Sequence, residues 1–153
     1  MKKRAKKTTG WREWVSLPEL EIPKIKAKVD TGARSSTLHA VHLRYQETAS
    51  GTDVLFEVHT HQRNIRDSVH CRAKVLEFRE IKSSNGHVEK RPVIVTSVEL
   101  LGEHWSIEVT LTNRSSMGFR MLLGRESLRK RFLVDPGHSF LGNKRAGEKD
   151  TLK

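Results

Sequence analysis

The sequence predicts an all-β domain closed by one short C-terminal helix. Three observations predict it: apolar residues recur with period two in short runs, turn-forming residues punctuate those runs, and one stretch near the end repeats strongly at helical spacing. Residues 22–29 alternate, with Ile25, Ala27 and Val29 on one face. Residues 54–58 and 73–78 repeat the pattern. Asn85-Gly86 suits a type I′ turn, in which both central residues need positive φ, and predicts a hairpin pairing residues 75–81 with 88–95. A second turn at 100–104 leads residues 93–100 into 105–112. After Met121-Leu122-Leu123-Gly124, residues 125–131 read as a helix, with Leu128 and Phe132 four apart and directed at the core. A weaker helical pattern covers residues 35–41.

With 153 residues and 35% hydrophobic content, the chain fits one ordinary domain able to build a core without disulfides or a structural metal. No apolar run nears the ~20 residues that span a bilayer, and the single cysteine, Cys71, has no partner for a disulfide or a Cys-x-x-Cys pair. A reducing cytoplasm is the expected home. The net charge is +11, of which five positive charges fall in residues 1–10 and a net two in residues 142–153, leaving four on the body. The expected organisation is therefore a disordered basic tail (1–10), an ordered domain (11–141) and a second disordered tail (142–153). The mildly basic body favours an acidic partner. Nucleic acid is a weaker reading, because aromatics make up 6% of the chain and show no stacking platform.

The segment 27–39, Ala-Lys-Val-Asp-Thr-Gly-Ala-Arg-Ser-Ser-Thr-Leu-His, carries the chemistry. A strand delivers Asp30 to its end, Thr31 adds a hydroxyl, and Gly32 lets the chain turn sharply. Strand, Asp30-Thr31-Gly32-Ala33, mid-chain hairpin, then Leu122-Leu123-Gly124-Arg125 opening a helix resembles, in that order, the retropepsin-like aspartic proteases. Residues 25–40 and 111–125 look most like a bacterial branch often labelled "ATP-dependent zinc protease", associated with ATP-grasp ligases that add glutamates to ribosomal protein S6.

The resemblance implies a closed, barrel-like fold and hydrolysis of a peptide or isopeptide bond by two carboxylates sharing one proton. This chain holds one Asp-Thr-Gly, and Asp135-Pro136-Gly137 is no equivalent, since proline removes an amide donor. The second aspartate is therefore expected from another copy, in a two-fold homodimer. Asp30, Thr31 and Gly32 form the expected catalytic set, with Thr31 bonding across the axis and Ala33 lining the substrate. Asn85 and Gly86 are expected to tip a flap over the cleft. Where viral relatives place a further acid, this chain has Arg34; with Arg114 and Arg125 it is expected to select acidic substrate side chains, such as a polyglutamylated tail. The alternative is a non-catalytic acidic-peptide-binding domain of the same fold.

No cofactor or metal is expected. His39 and His42 are three apart and His59 and His61 share a strand face, but there is no His-Glu-x-x-His, Cys-rich set or phosphate-cradling loop. Cys71 and His70 point to opposite faces of a strand, so a Cys/His pair is not expected and Cys71 reads as a buried or inert thiol.

Overall fold

A computed structural model describes residues 5–61, 64–82, 85–113 and 118–143, with the backbone alone at residues 61, 64–67 and 143. Alternation becomes strand almost throughout. In chain order the elements are β1 (Lys7–Thr9), β2 (Arg12–Leu17), β3 (Ile22–Asp30), β4 (Ser36–His39), β5 (Val41–Thr48), β6 (Gly51–His61), β7 (Asn64–Lys74), β8 (Glu77–Lys82), β9 (Val88–Leu100), β10 (Glu103–Thr112), β11 (Met121–Gly124), helix α1 (Arg125–Leu128) and β12 (Phe132–Val134).

Six strands close on themselves in the order β10-β4-β11-β3-β2-β9, with β9 returning to β10. The expected closed barrel is therefore present, and β8 extends it as a free edge beyond β9. Its interior is filled by the inward halves of the alternating strands, among them Val15, Leu17, Ile25, Ala27, Leu38, Ile94, Val109 and Leu123. A separate sheet, β5-β6-β7, lays Val54, Phe56, Val58 and Cys71 onto the same core. Burial pushes the Cys71 thiol up to about 12, which keeps it protonated and inert, as expected.

Several local expectations change. Residues 35–41 form β4 and the start of β5, not a helix, because β4 is captured between β10 (parallel) and β11 (antiparallel). The run 73–78 is two strands: Val75 donates its amide to Thr52 and Leu76 to Val93, so these two residues hand the chain from one sheet to the other. The helix expected over 125–131 stops at Leu128, since Lys130 turns to φ 69. Phe132, buried as expected, opens β12 instead. At the hairpin tip Gly86 has φ 83, but Asn85 is not in the positive-φ region; its Oδ1 accepts the His87 amide at 3.2 Å instead. Positive φ at both central residues occurs at Leu101 (φ 53) and Gly102 (φ 78), between β9 and β10. Lys7–Thr9, assigned above to the tail, pairs in parallel with β12.

One buried carboxylate ties this pairing to the barrel. Glu13 is fully buried and accepts the amides of Gly10 (2.7 Å), Leu141 (3.0 Å) and Gly142 (3.0 Å), with the Thr9 hydroxyl at 3.4 Å. Gly10 is required there, because a Cβ would lie 2.4 Å from the His138 carbonyl oxygen.

Candidate active site

β3 ends at Asp30, and β11 runs parallel beside it with Gly124 in register with the aspartate. The chain then turns through Thr31 and Gly32. Gly32 donates its amide to Asp30 Oδ1 at 3.0 Å, and a Cβ at position 32 would stand 3.2 Å from the same oxygen. Glycine thus leaves room for the close approach of this amide to the carboxylate.

The loop is clamped from below. Arg125 and Glu126 donate their amides to the carbonyls of Ala33 (2.7 Å) and Arg34 (3.1 Å), so the start of α1 carries the loop on its backbone. Arg125 Nη1 donates to the Thr31 carbonyl at 3.0 Å. Gly124 packs so tightly that a Cβ would fall 2.4 Å from the Ser35 carbonyl oxygen. Its amide donates to Ser36 Oγ (3.0 Å), which shares a 2.5 Å hydrogen bond with Ser127 Oγ. Leu-Leu-Gly-Arg is therefore the seat on which the aspartate loop rests.

Asp30, Gly32, Ala33 and Arg34 open into a cleft of about 1360 Å³. Its other walls are the start of β4, β8 (Arg79, Glu80, Ile81 and Lys82) with Arg91 of β9, both faces of β10 from Trp105 to Thr110, and the α1 segment through Arg131. Thr31, Asn85, Gly86 and Arg125 are not in the lining. Arg114 lies outside the described residues. The hairpin expected to act as a flap does supply a wall, through the body of β8. None of the described residues among 41–74 lines the cleft, and the β5-β6-β7 sheet packs on the core instead.

Six cations line the cleft against the carboxylates Asp30, Glu80, Glu108 and Glu126. Three of the cations are matched: Arg79 bridges Glu77 and Glu108, Arg91 pairs with Glu89, and Arg129 with Glu126. Arg34, Lys82 and Arg131 have no carboxylate partner among the described residues. Arg131 lies over the Trp105 ring, 5.1 Å from its centroid. Trp105 is held by its Nε1–H on the Ser127 carbonyl at 3.1 Å.

The other acids and histidines do different work. Asp135 accepts the Gly137 amide and pairs with His138, which together hold its carboxyl below the usual range; it is a turn residue away from the cleft. His39 is buried in β4 while His42, exposed on β5, pairs with Glu57, so the two histidines do not converge. Among the described residues no group of three or more His, Cys, Asp or Glu is arranged to hold a metal ion. No helix there is long and apolar enough to cross a membrane.

Ser36, Ser127, Trp105 and Arg131 went unnoticed in the sequence. Ser36 and Ser127 stand within a few residues of Asp-Thr-Gly and Leu-Leu-Gly, a proximity that could have flagged them. For Trp105 and Arg131 no local signal exists.

Residues 8–145 match the family model described as RimB-like, retropepsin-like aspartic endopeptidase RimB. A probable alpha-L-glutamate ligase of Shewanella halifaxensis is 49% identical over 131 residues, 86% of this chain and 29% of that protein. Another, from Parasynechococcus marenigrum, is 42% identical over 144 residues, 94% of this chain and 31% of that protein. The chain spans less than a third of the length of these curated relatives. The crystal structure of Lpg0085, a protein of unknown function from Legionella pneumophila, superimposes with a TM-score of 0.72 at 26% identity, covering 91% of this chain and all of that one.

Proposed function

Because this chain belongs to the RimB-like family of retropepsin-like aspartic endopeptidases, we propose that it hydrolyses a peptide or isopeptide bond with two Asp30 carboxylates, one from each copy of a homodimer. The observation that carries the reading is the state of Asp30: a half-buried carboxylate at the edge of an open cleft, with one amide bond from Gly32 and no other aspartate in the lining. Glu80, Glu108 and Glu126 belong to other walls, which supports a reading in which the matching carboxylate comes from a second chain.

In the dimer one Asp30 is ionised and polarises a water, while its protonated mate hydrogen-bonds the scissile carbonyl. Water attacks the carbonyl carbon and gives one proton to the ionised aspartate while its protonated mate donates to the carbonyl oxygen. As the tetrahedral diol collapses, the C–N bond breaks, the leaving nitrogen takes the proton from the first aspartate, and one hydroxyl returns its proton to the second, so the dyad again holds a single shared proton. The Thr31 hydroxyl has no partner among the described residues and is available to bond across the two-fold axis. The β8–β9 hairpin closes over the substrate with Asn85 and Gly86 at its tip, excluding water. Arg34 faces an acidic residue of the substrate.

The substrate reading is a glutamate-rich tail. It is supported by the unmatched cations of the cleft and by relatives, named as probable glutamate ligases, that contain a region like this chain within a much longer polypeptide. A ligase that extends such a tail and a hydrolase that shortens it would act on the same chemical object.

Mixing Asp30→Asn chains with unaltered chains tests the dyad. Activity should fall as the square of the unaltered fraction; a fall in simple proportion would place the whole site within one chain. The basic cleft equally supports a second reading, a domain that captures acidic peptide without cutting it. Saturable binding of a glutamate-rich peptide, with no product under any condition, would select that reading.

A further inference from the structure

Taking the cleft as a peptide groove, as proposed above, we infer that Arg131, held over Trp105, is the residue that reads acidic substrate side chains, with Lys82 and Arg34 as weaker contributors. The argument is one of availability and rigidity. Arg79, Arg91 and Arg129 already spend their charge on Glu77 and Glu108, Glu89 and Glu126. A ligand carboxylate there would share a cation whose charge is already offset by a neighbouring acid. Arg34, Lys82 and Arg131 face no such exchange among the described residues.

These three differ in how firmly they are held. All three are exposed, but Arg34 and Lys82 have no hydrogen bond, ion pair or ring contact to hold their side chains among the described residues, and each would lose most of its rotamer freedom on binding. Arg131 is held in advance, with its guanidinium over the Trp105 ring. That ring is 8% exposed, bonded through Nε1 to Ser127 and packed 5.4 Å from the Phe132 ring. A cation held over a ring uses none of its N–H groups in a hydrogen bond there, so the guanidinium keeps them for a carboxylate, which it can grip with two parallel bonds. The preceding Lys130 sits at φ 69, an uncommon conformation for a lysine, in the turn that presents Arg131.

Binding to the full-length Asp30→Asn chain, which holds ligand without cutting it, tests the inference. The probes are a fluorescently labelled glutamate-rich peptide and its glutamine-for-glutamate counterpart. Asp30→Asn alone should prefer the glutamate peptide. Adding Arg131→Gln should reduce that preference by about fivefold or more, Arg131→Lys should restore part of it, and Arg129→Gln should cost less than Arg131→Gln. A preference unchanged by Arg131→Gln in a chain that melts normally overturns the inference, as does an equal loss from Arg129→Gln. If Arg131→Gln does not fold, Arg131→Lys decides: it keeps the charge and the stem but not the fork, and an unchanged preference overturns the role of the guanidinium. Should neither peptide bind the parent chain, the reading of the cleft as a peptide groove fails, and this inference with it.

Discussion

Glu13 and Asp30 lie on neighbouring strands of one barrel and have opposite surroundings. Glu13 is sealed from solvent and saturated, with three backbone amides on its two oxygens and a hydroxyl nearby. Asp30 is half-buried and accepts one amide, so most of its lone pairs remain open to the cleft. A carboxylate whose acceptor capacity is used up by the chain holds structure together; one left unsatisfied at the edge of a cavity can hold water, substrate or a second carboxylate.

Substitution should separate the two acids. In a peptide-cleavage assay Asp30→Asn should lower turnover by about 10³-fold or more while leaving the melting temperature nearly unchanged. Equal loss of stability would make Asp30 a structural acid like Glu13. Glu13→Gln should do the reverse, costing about 2–4 kcal/mol in a denaturant titration, since an amide NH₂ is turned toward backbone donors that have no other acceptor. Gly124→Ala should cost about 1–3 kcal/mol by the same titration and lower activity too, because the methyl collides with the Ser35 carbonyl beneath the aspartate loop.

A smaller effect sharpens the contrast between sealed and open carboxylates. Asp53 pairs with Lys74 (3.0 Å) and Arg72 (2.8 Å) on the second sheet, and their hydrogen bonds hold its carboxyl below the usual range. Its contribution is therefore present above the unfolded-state value and lost as pH falls through the lower folded-state value. Asp53→Asn should melt slightly earlier than the parent at neutral pH, and the gap should close in acid. A gap that widens in acid would reverse the sign of the argument. The smallest expected change is none: dialysis against a strong chelator should leave cleavage intact, since the proposed chemistry places water between carboxylates. Loss of activity restored by zinc would require a different mechanism.

The strands and the aspartate loop could be read from the sequence because both are local. Period-two burial in β3 and in the first half of β10 follows directly from residue order, and Asp30-Thr31-Gly32 is a contiguous turn at a strand end. Barrel closure was less accessible. β4 looked weakly helical on its own, and its strand conformation comes from pairing with β10, whose residues 109–112 are far along the chain. The same limit hid the Arg131–Trp105 contact and the Ser36–Ser127 bond, each made by residues that only the completed fold brings together. Arg125 read as a ligand for acidic side chains because Arg34 stands where its acidic partner was expected; that its Nη1 donates to the Thr31 carbonyl and that it is not among the residues lining the cleft depend on backbone direction, which residue types do not show.

The Glu13 anchor has an architectural consequence. It gathers Gly10 from one end of the domain and Leu141 and Gly142 from the other onto a single side chain, and none of these residues lines the cleft. Entry and exit points that lie side by side suit a cassette, which can be spliced into a longer polypeptide or circularly permuted without disturbing its working mouth.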